Sequence, residues 1–248
     1  MGNPMFCYQC EQTFGGKGCT KSGVCGKTPE IANLQDLLIY QLKGISCYAK
    51  TLIDRGKTID KNIVMFLENS LFTTLTNVNF DSDSHVKLLK ESQKVKELLR
   101  NKSPEKDYPD AATYNLSDTK EDMLKDSVKA GIKGISAYAH QARFIGYNSE
   151  QVDQFYFLAL EATTNDNLTL QDMIRMTMRT GDMSIEVMKT LDKANTSRYK
   201  DPSIHKVNVS IKKGPFIIVS GHDLRDLEML LKQTENKGIN IYTHGEML

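Results

Sequence analysis

Four of the five cysteines fall within the first 25 residues, as Cys7, Cys10, Cys19 and Cys25 with the spacing C-x2-C-x8-C-x5-C. Thiolates are soft donors that suit zinc or iron–sulfur clusters, and metal binding depresses the thiol pKa. Gly15, Gly16, Gly18, Gly23 and Gly26 are interleaved with them, so the segment can turn sharply enough to aim four sulfurs at one centre. A disulfide scaffold would instead spread its pairs along the fold, and an odd count leaves one thiol over. Zinc fingers and ribbons usually carry two close pairs, whereas only Cys7 and Cys10 are close here. The uneven loop suits the wider ligand positions of a four-iron cubane better than a single zinc ion, with zinc and unliganded thiols as the remaining readings.

The elements that must position this head read as helices. Pro29-Glu30 opens a stretch from Ile31 to Ile53 in which Leu34, Leu37, Leu38, Leu42 and Ile45 make a helical stripe, and Asp54-Arg55-Gly56 is its expected stop. Helical patterns follow at about 60–77 and 84–101, then, past a proline-containing linker at 101–118, at about 118–146, 149–163 and 167–194. Ser117 or Asp118, and Thr169 or Asn167, are the candidate N-caps.

The run Lys43 to Ala49 recurs as Lys133 to Ala139 at an offset of 90 residues, which predicts two related three-helix bundles at about 29–102 and 118–195. Gly44, Ala49, Gly134 and Ala139 are expected to let neighbouring helices approach closely. Cys47 is matched in the echo by Ala137, so it reads as a packing residue rather than a fifth ligand. The methionines between 173 and 188 read as core, and His85, His140 and His205 as surface or packing residues.

Beyond Ser203 the texture changes. Phe216 to Val219 reads as a buried strand, Asp223 as the cap of a helix to about Gln233, and Ile239 to Tyr242 as a second strand. The expected fold is mainly α: a cysteine-rich loop at 1–28, a helical domain at 29–204, and the beginning of a Rossmann-like α/β domain at 205–248. A lone strand–helix–strand unit cannot cover both faces of a sheet, so that last domain reads as truncated.

Composition narrows the partners. Lys and Arg total 32 against 31 Asp and Glu in 248 residues, a formal charge of +1, which supplies no global field for nucleic acid or an anionic membrane. No run approaches the roughly 18 apolar residues of a membrane span, and the first 30 residues lack the apolar core of a signal peptide, so a cytoplasmic location is expected.

The stretch Met5 to Thr13, with Gly18-Cys19 and Gly23-Val24-Cys25-Gly26, resembles the amino terminus of the hybrid cluster proteins, also called prismane proteins or hydroxylamine reductases. Val219 to Leu224 and Tyr242 to Leu248 resemble further stretches of that family in the same order, so the likeness spans the whole chain. The cysteine spacing is similar to the branch with a 4Fe-4S cubane at the head, and the family's first domain is all-helical.

That resemblance implies an oxidoreductase reducing hydroxylamine to ammonia and water, or related nitrogen oxides such as nitric oxide, with electrons from an unidentified donor. It implies that Cys7, Cys10, Cys19 and Cys25 hold the electron-relay cluster. It also implies that His222 and Glu246 match the histidine and first glutamate ligands of a second, hybrid 4Fe-2S-2O cluster, with His244 beside the latter but not assigned as a ligand. Their positions after the two expected strands agree with this, because open α/β sheets place ligands at the carboxyl ends of their strands. The departure is that no cysteine follows Cys47, so the remaining hybrid-cluster ligands have no counterpart. The chain therefore resembles the amino-terminal half of such a protein, able to hold the head cluster but not the hybrid one. A zinc-stapled helical interaction module without redox activity is the alternative.

Overall fold

The computed structural model describes residues 5–104, 108 and 123–245. Among them are seven α-helices and two strands: α1 Pro29–Asp54, α2 Lys61–Thr73, α3 Ser82–Lys102, α4 Met123–Phe144, α5 Glu150–Ala162, α6 Leu170–Tyr199, β1 Phe216–Val219, α7 Leu224–Thr234 and β2 Asn240–Thr243. The chain is mainly helical, with one small parallel sheet.

Local chemistry accounts for the helix ends. At α1 the Thr28 side chain accepts from the Ile31 N–H at 3.3 Å and Pro29 occupies the first turn, where its missing N–H costs nothing. Gly56, with φ of 70°, takes the left-handed position just past the same helix. Thr169 and Asp172 form a reciprocal capping box at α6, and Asp223 accepts from Arg225 and Asp226 at α7. The candidate caps Ser117 and Asp118 lie outside the described residues.

Residues 41–49 of α1 are buried on every face, which makes this helix the axis of the assembly. One continuous core includes Leu42 and Tyr48 of α1, Leu67 of α2, Ile132 of α4, Phe155 of α5 and Val187 of α6. Packing crosses the two sequence groups: α1 lies mainly on α3 and α5, while α4 lies mainly on α6 and α2. The middle helix of each group thus packs chiefly on the first helix of the other. Arg143 of α4 fastens the crossing, with its Nη2 3.0 Å from the Glu68 carboxylate of α2 and a second bond to Asp153 of α5.

The internal echo is repeated in geometry, since Ser46 and Ser136 are both buried and both donate back to their own helices. Its glycines do not behave alike. A Cβ at Gly44 would meet Tyr108 and Lys96, but Gly134 is exposed with open space around it. The close approach of α4 is instead at Gly131, against the Thr180 side chain of α6. The α6 methionines also divide: Met173 is buried, whereas Met178 and Met188 are exposed, so only part of that row fills the core.

After α6 the chain forms β1–α7–β2, with Phe216 paired to Asn240 and Val219 to Thr243 in parallel register. Phe216 and Ile218 of β1 are exposed rather than buried, because the described residues lay no second layer over the strand. None of the helices in the described residues is long and apolar enough to cross a membrane.

Candidate metal centre

The cysteine head is held by its own backbone before any metal is considered. Cys7 and Cys19 form an isolated antiparallel bridge, each N–H donating to the other's carbonyl at 2.9 Å, and the Thr13 hydroxyl donates to the Cys7 carbonyl at 3.1 Å. Glycine is required at two turns. Gly18 has φ of 121° and lies against the Phe6 ring, and a Cβ at Gly23 would stand 3.0 Å from Cys25 Sγ and 2.9 Å from Lys27 Cβ. None of the five cysteines forms a disulfide.

Cys7, Cys10, Cys19 and Cys25 line one small cavity of about 70 Å³. Thr74, Leu75 and Thr76, just beyond α2, and Lys133 of α4 complete its wall. Cys7 and Cys19 are buried, and Cys10 and Cys25 half-buried. Cys47, by contrast, is buried on α1 with Sγ 3.3 Å from the Thr164 hydroxyl and does not line this cavity.

The electrostatics around the cavity are unusual. Burial pushes the Cys7 thiol above its ordinary pKa, with Lys27 the leading influence in the other direction. Burial also opposes ionisation of Cys19, but the N–H groups of Phe14 and Val24, the Thr13 hydroxyl and Lys27 outweigh it, so that thiol falls below the usual value. Lys27 is buried and donates to Gln35 Oε1, and the Gln35 amide donates in turn to the carbonyls of Thr73 and Asn79.

Lys133 donates to Gln9 Oε1 at 2.9 Å and to the Thr74 carbonyl at 3.5 Å, while the Gln9 amide donates to Asp36. Burial draws Lys133 down to about 7, with Lys27 acting the same way and Asp36 and Cys7 opposing. Burial raises Asp36 to about 6, against the Gln9 hydrogen bond and the charges of Lys133 and Lys27. None of Gln9, Lys27, Gln35, Asp36 or Lys133 is legible as a site residue from type and spacing; Gln9 lies within the Met5 to Thr13 stretch and Lys133 in the echo of Lys43, and nothing in the sequence marks the other three. Gln9, Cys10 and Lys133 also wall a second, larger cavity of about 740 Å³ shared with Lys43.

Among the described residues, no three His, Cys, Asp or Glu side chains are gathered closely enough to hold a single ion. Cys7, Cys10, Cys19 and Cys25 nevertheless share one cavity wall. An all-thiolate donor set around one cavity fits an iron–sulfur cluster, as it would a zinc ion.

At the other end of the chain, His222 follows β1 and His244 follows β2, so the parallel pairing of the strands brings the two rings to 4.8 Å between centroids. Glu246, the second sequence-predicted ligand here, lies outside the described residues. The remaining histidines have packing contacts or are exposed: His85 is buried against Asp81 and Gln35, His140 stacks on Phe72 at 4.7 Å, and His205 is on the surface.

Comparison with known proteins decides the family, because the model of the Prismane/CO dehydrogenase family matches residues 5–248. The chain belongs to this family. Among relatives, a hydroxylamine reductase of Acetivibrio thermocellus is 44% identical over 98% of the chain and 48% of its own length. One of Desulfovibrio desulfuricans is 42% identical over 100% of the chain and 49% of its own length, and one of Bacteroides fragilis is 41% identical over 98% and 48%. The chain spans about half the length of the curated prismane relatives it matches, corresponding to their amino-terminal part.

Proposed function

We propose that Cys7, Cys10, Cys19 and Cys25 hold a 4Fe-4S cluster and that the chain is the amino-terminal part of an iron–sulfur oxidoreductase. In its complete form this enzyme reduces hydroxylamine with two electrons and two protons to ammonia and water, and other small nitrogen oxides such as nitric oxide are further substrates. The observation that carries this is the sharing of one small cavity by four cysteines in a chain of the prismane family. When bound, such a cluster supplies reversible one-electron transfer.

The chain's own residues prepare that site. The Cys7–Cys19 bridge fixes two ligands before the metal arrives, and the N–H groups of Phe14 and Val24 stabilise the Cys19 thiolate. Burial of Cys7 and Cys19 keeps water from half of the ligand set, while Cys10 and Cys25 are half-buried. His222, which follows β1, and Glu246 are assigned to the hybrid 4Fe-2S-2O cluster of the complete protein. A reducing cytoplasm, which keeps the thiols available, is the compartment that suits this chemistry.

Anaerobic reconstitution with ferrous iron and sulfide is expected to give a broad thiolate-to-iron absorption and about four irons per chain, most of which Cys10→Ser should lose. A colourless protein with stoichiometric zinc that folds without iron would indicate the zinc-stapled module instead. Four freely alkylated thiols after reconstitution would rule out both.

A further inference from the structure

Two lysines are buried against the four-cysteine cavity: Lys27 is 1% exposed and Lys133 is 4% exposed, and both line it. Lysine is almost never buried to this extent without a compensating anion. The groups that accept hydrogen bonds from these two are nevertheless neutral: the Gln35 amide oxygen for Lys27, and the Gln9 amide oxygen and Thr74 carbonyl for Lys133. Asp36 reaches Lys133 only through Gln9. One buried carboxylate for two buried lysines leaves a further anion in the cavity as the group that would compensate them.

What lies across the cavity is sulfur. Lys27 and Lys133 line the same small cavity as all four cysteines. A cubane held by four thiolates carries net negative charge and gains more on reduction, and net charge and burial are among the determinants of its potential. We propose that Lys27 and Lys133 are the buried counter-charges of the cluster held by Cys7, Cys10, Cys19 and Cys25, and that they raise the potential at which it accepts an electron.

The inference rests on the cluster reading of those cysteines. It gives the scaffold a part in the chemistry, because Lys27 belongs to the loop just past Cys25 whereas Lys133 is carried by α4, more than a hundred residues away. Buried charges are little screened by salt, so the effect should persist at high ionic strength.

The test is an anaerobic redox titration of the reconstituted chain with dithionite, followed by electron paramagnetic resonance of the reduced cluster, with iron and sulfide counted in parallel. Lys27→Gln and Lys133→Gln keep an N–H donor but remove the charge; each is expected to retain the cluster and shift the midpoint to more negative potential, at low and high salt alike. Lys27→Arg and Lys133→Arg keep the charge and should stay near the parent value. Intact clusters with unchanged midpoints in both glutamine variants would overturn the proposal. If the glutamine variants assemble no cluster, the arginine variants decide: recovery of the cluster supports the counter-charge role, and its continued loss overturns it. A parent chain that takes up no iron and sulfide defeats the cluster reading itself, so the two failures are distinguishable.

Discussion

Asp36 gives the centre's surroundings a pH signature. Its carboxyl is raised from 3.8 to about 6 by burial, so the neutral form is the one the fold prefers. That contribution to stability is complete below 3.8 and is lost as the pH rises through about 6. Asp36→Asn should therefore gain on the parent chain between about pH 4 and about pH 7, by at most about 3 kcal/mol, in urea unfolding of the metal-free protein. A difference that stays constant over that range would show that Asp36 does not titrate in this way. The cysteines themselves could be recognised beforehand because donor type and spacing are local properties of the chain. Their electrostatic surroundings could not: Lys27 and Lys133 look like ordinary surface lysines until α1, α2 and α4 close around them.

The helices followed from local chemistry, and their contacts did not. Thr169 was recognisable as a cap because a threonine three residues before an aspartate satisfies the first N–H groups of α6. Thr169→Ala should lower unfolding stability by about 1 kcal/mol in urea titration, with the loss confined to the unfolding equilibrium and not to metal content. On α4 the expected close approach lies one turn earlier than Gly134, which is exposed: Gly131 faces Thr180 across the α4–α6 contact. Gly131→Ala should cost about 1–3 kcal/mol, and Thr180→Ser in the same chain should recover part of it in a double-mutant cycle. For a related reason Phe216 and Ile218 of β1 are exposed: the apolar run Phe216 to Val219 reports what the residues favour, not whether a second layer is present.

At the scale of the molecule, the repeat from Lys43 to Lys133 is expressed as crossed packing, with α5 on α1 and α2 on α4, around one core. No one-dimensional pattern distinguishes that exchange from two separate bundles, because each helix carries the same apolar stripe in either arrangement. The β1–α7–β2 unit is fastened to α6 by Arg198 and Tyr199, both 2.9 Å from the Glu228 carboxylate. Hydrogen bonds from Arg198, Lys232 and Arg225 hold that carboxyl far below its usual range. The pairs are exposed, so Glu228→Gln should leave the urea midpoint almost unchanged while speeding amide exchange in α7. The most direct test of the four-cysteine centre is iron-edge X-ray absorption on the anaerobically reconstituted chain. Four-sulfur coordination with a short iron–iron distance is predicted, and iron with no iron neighbour would contradict it.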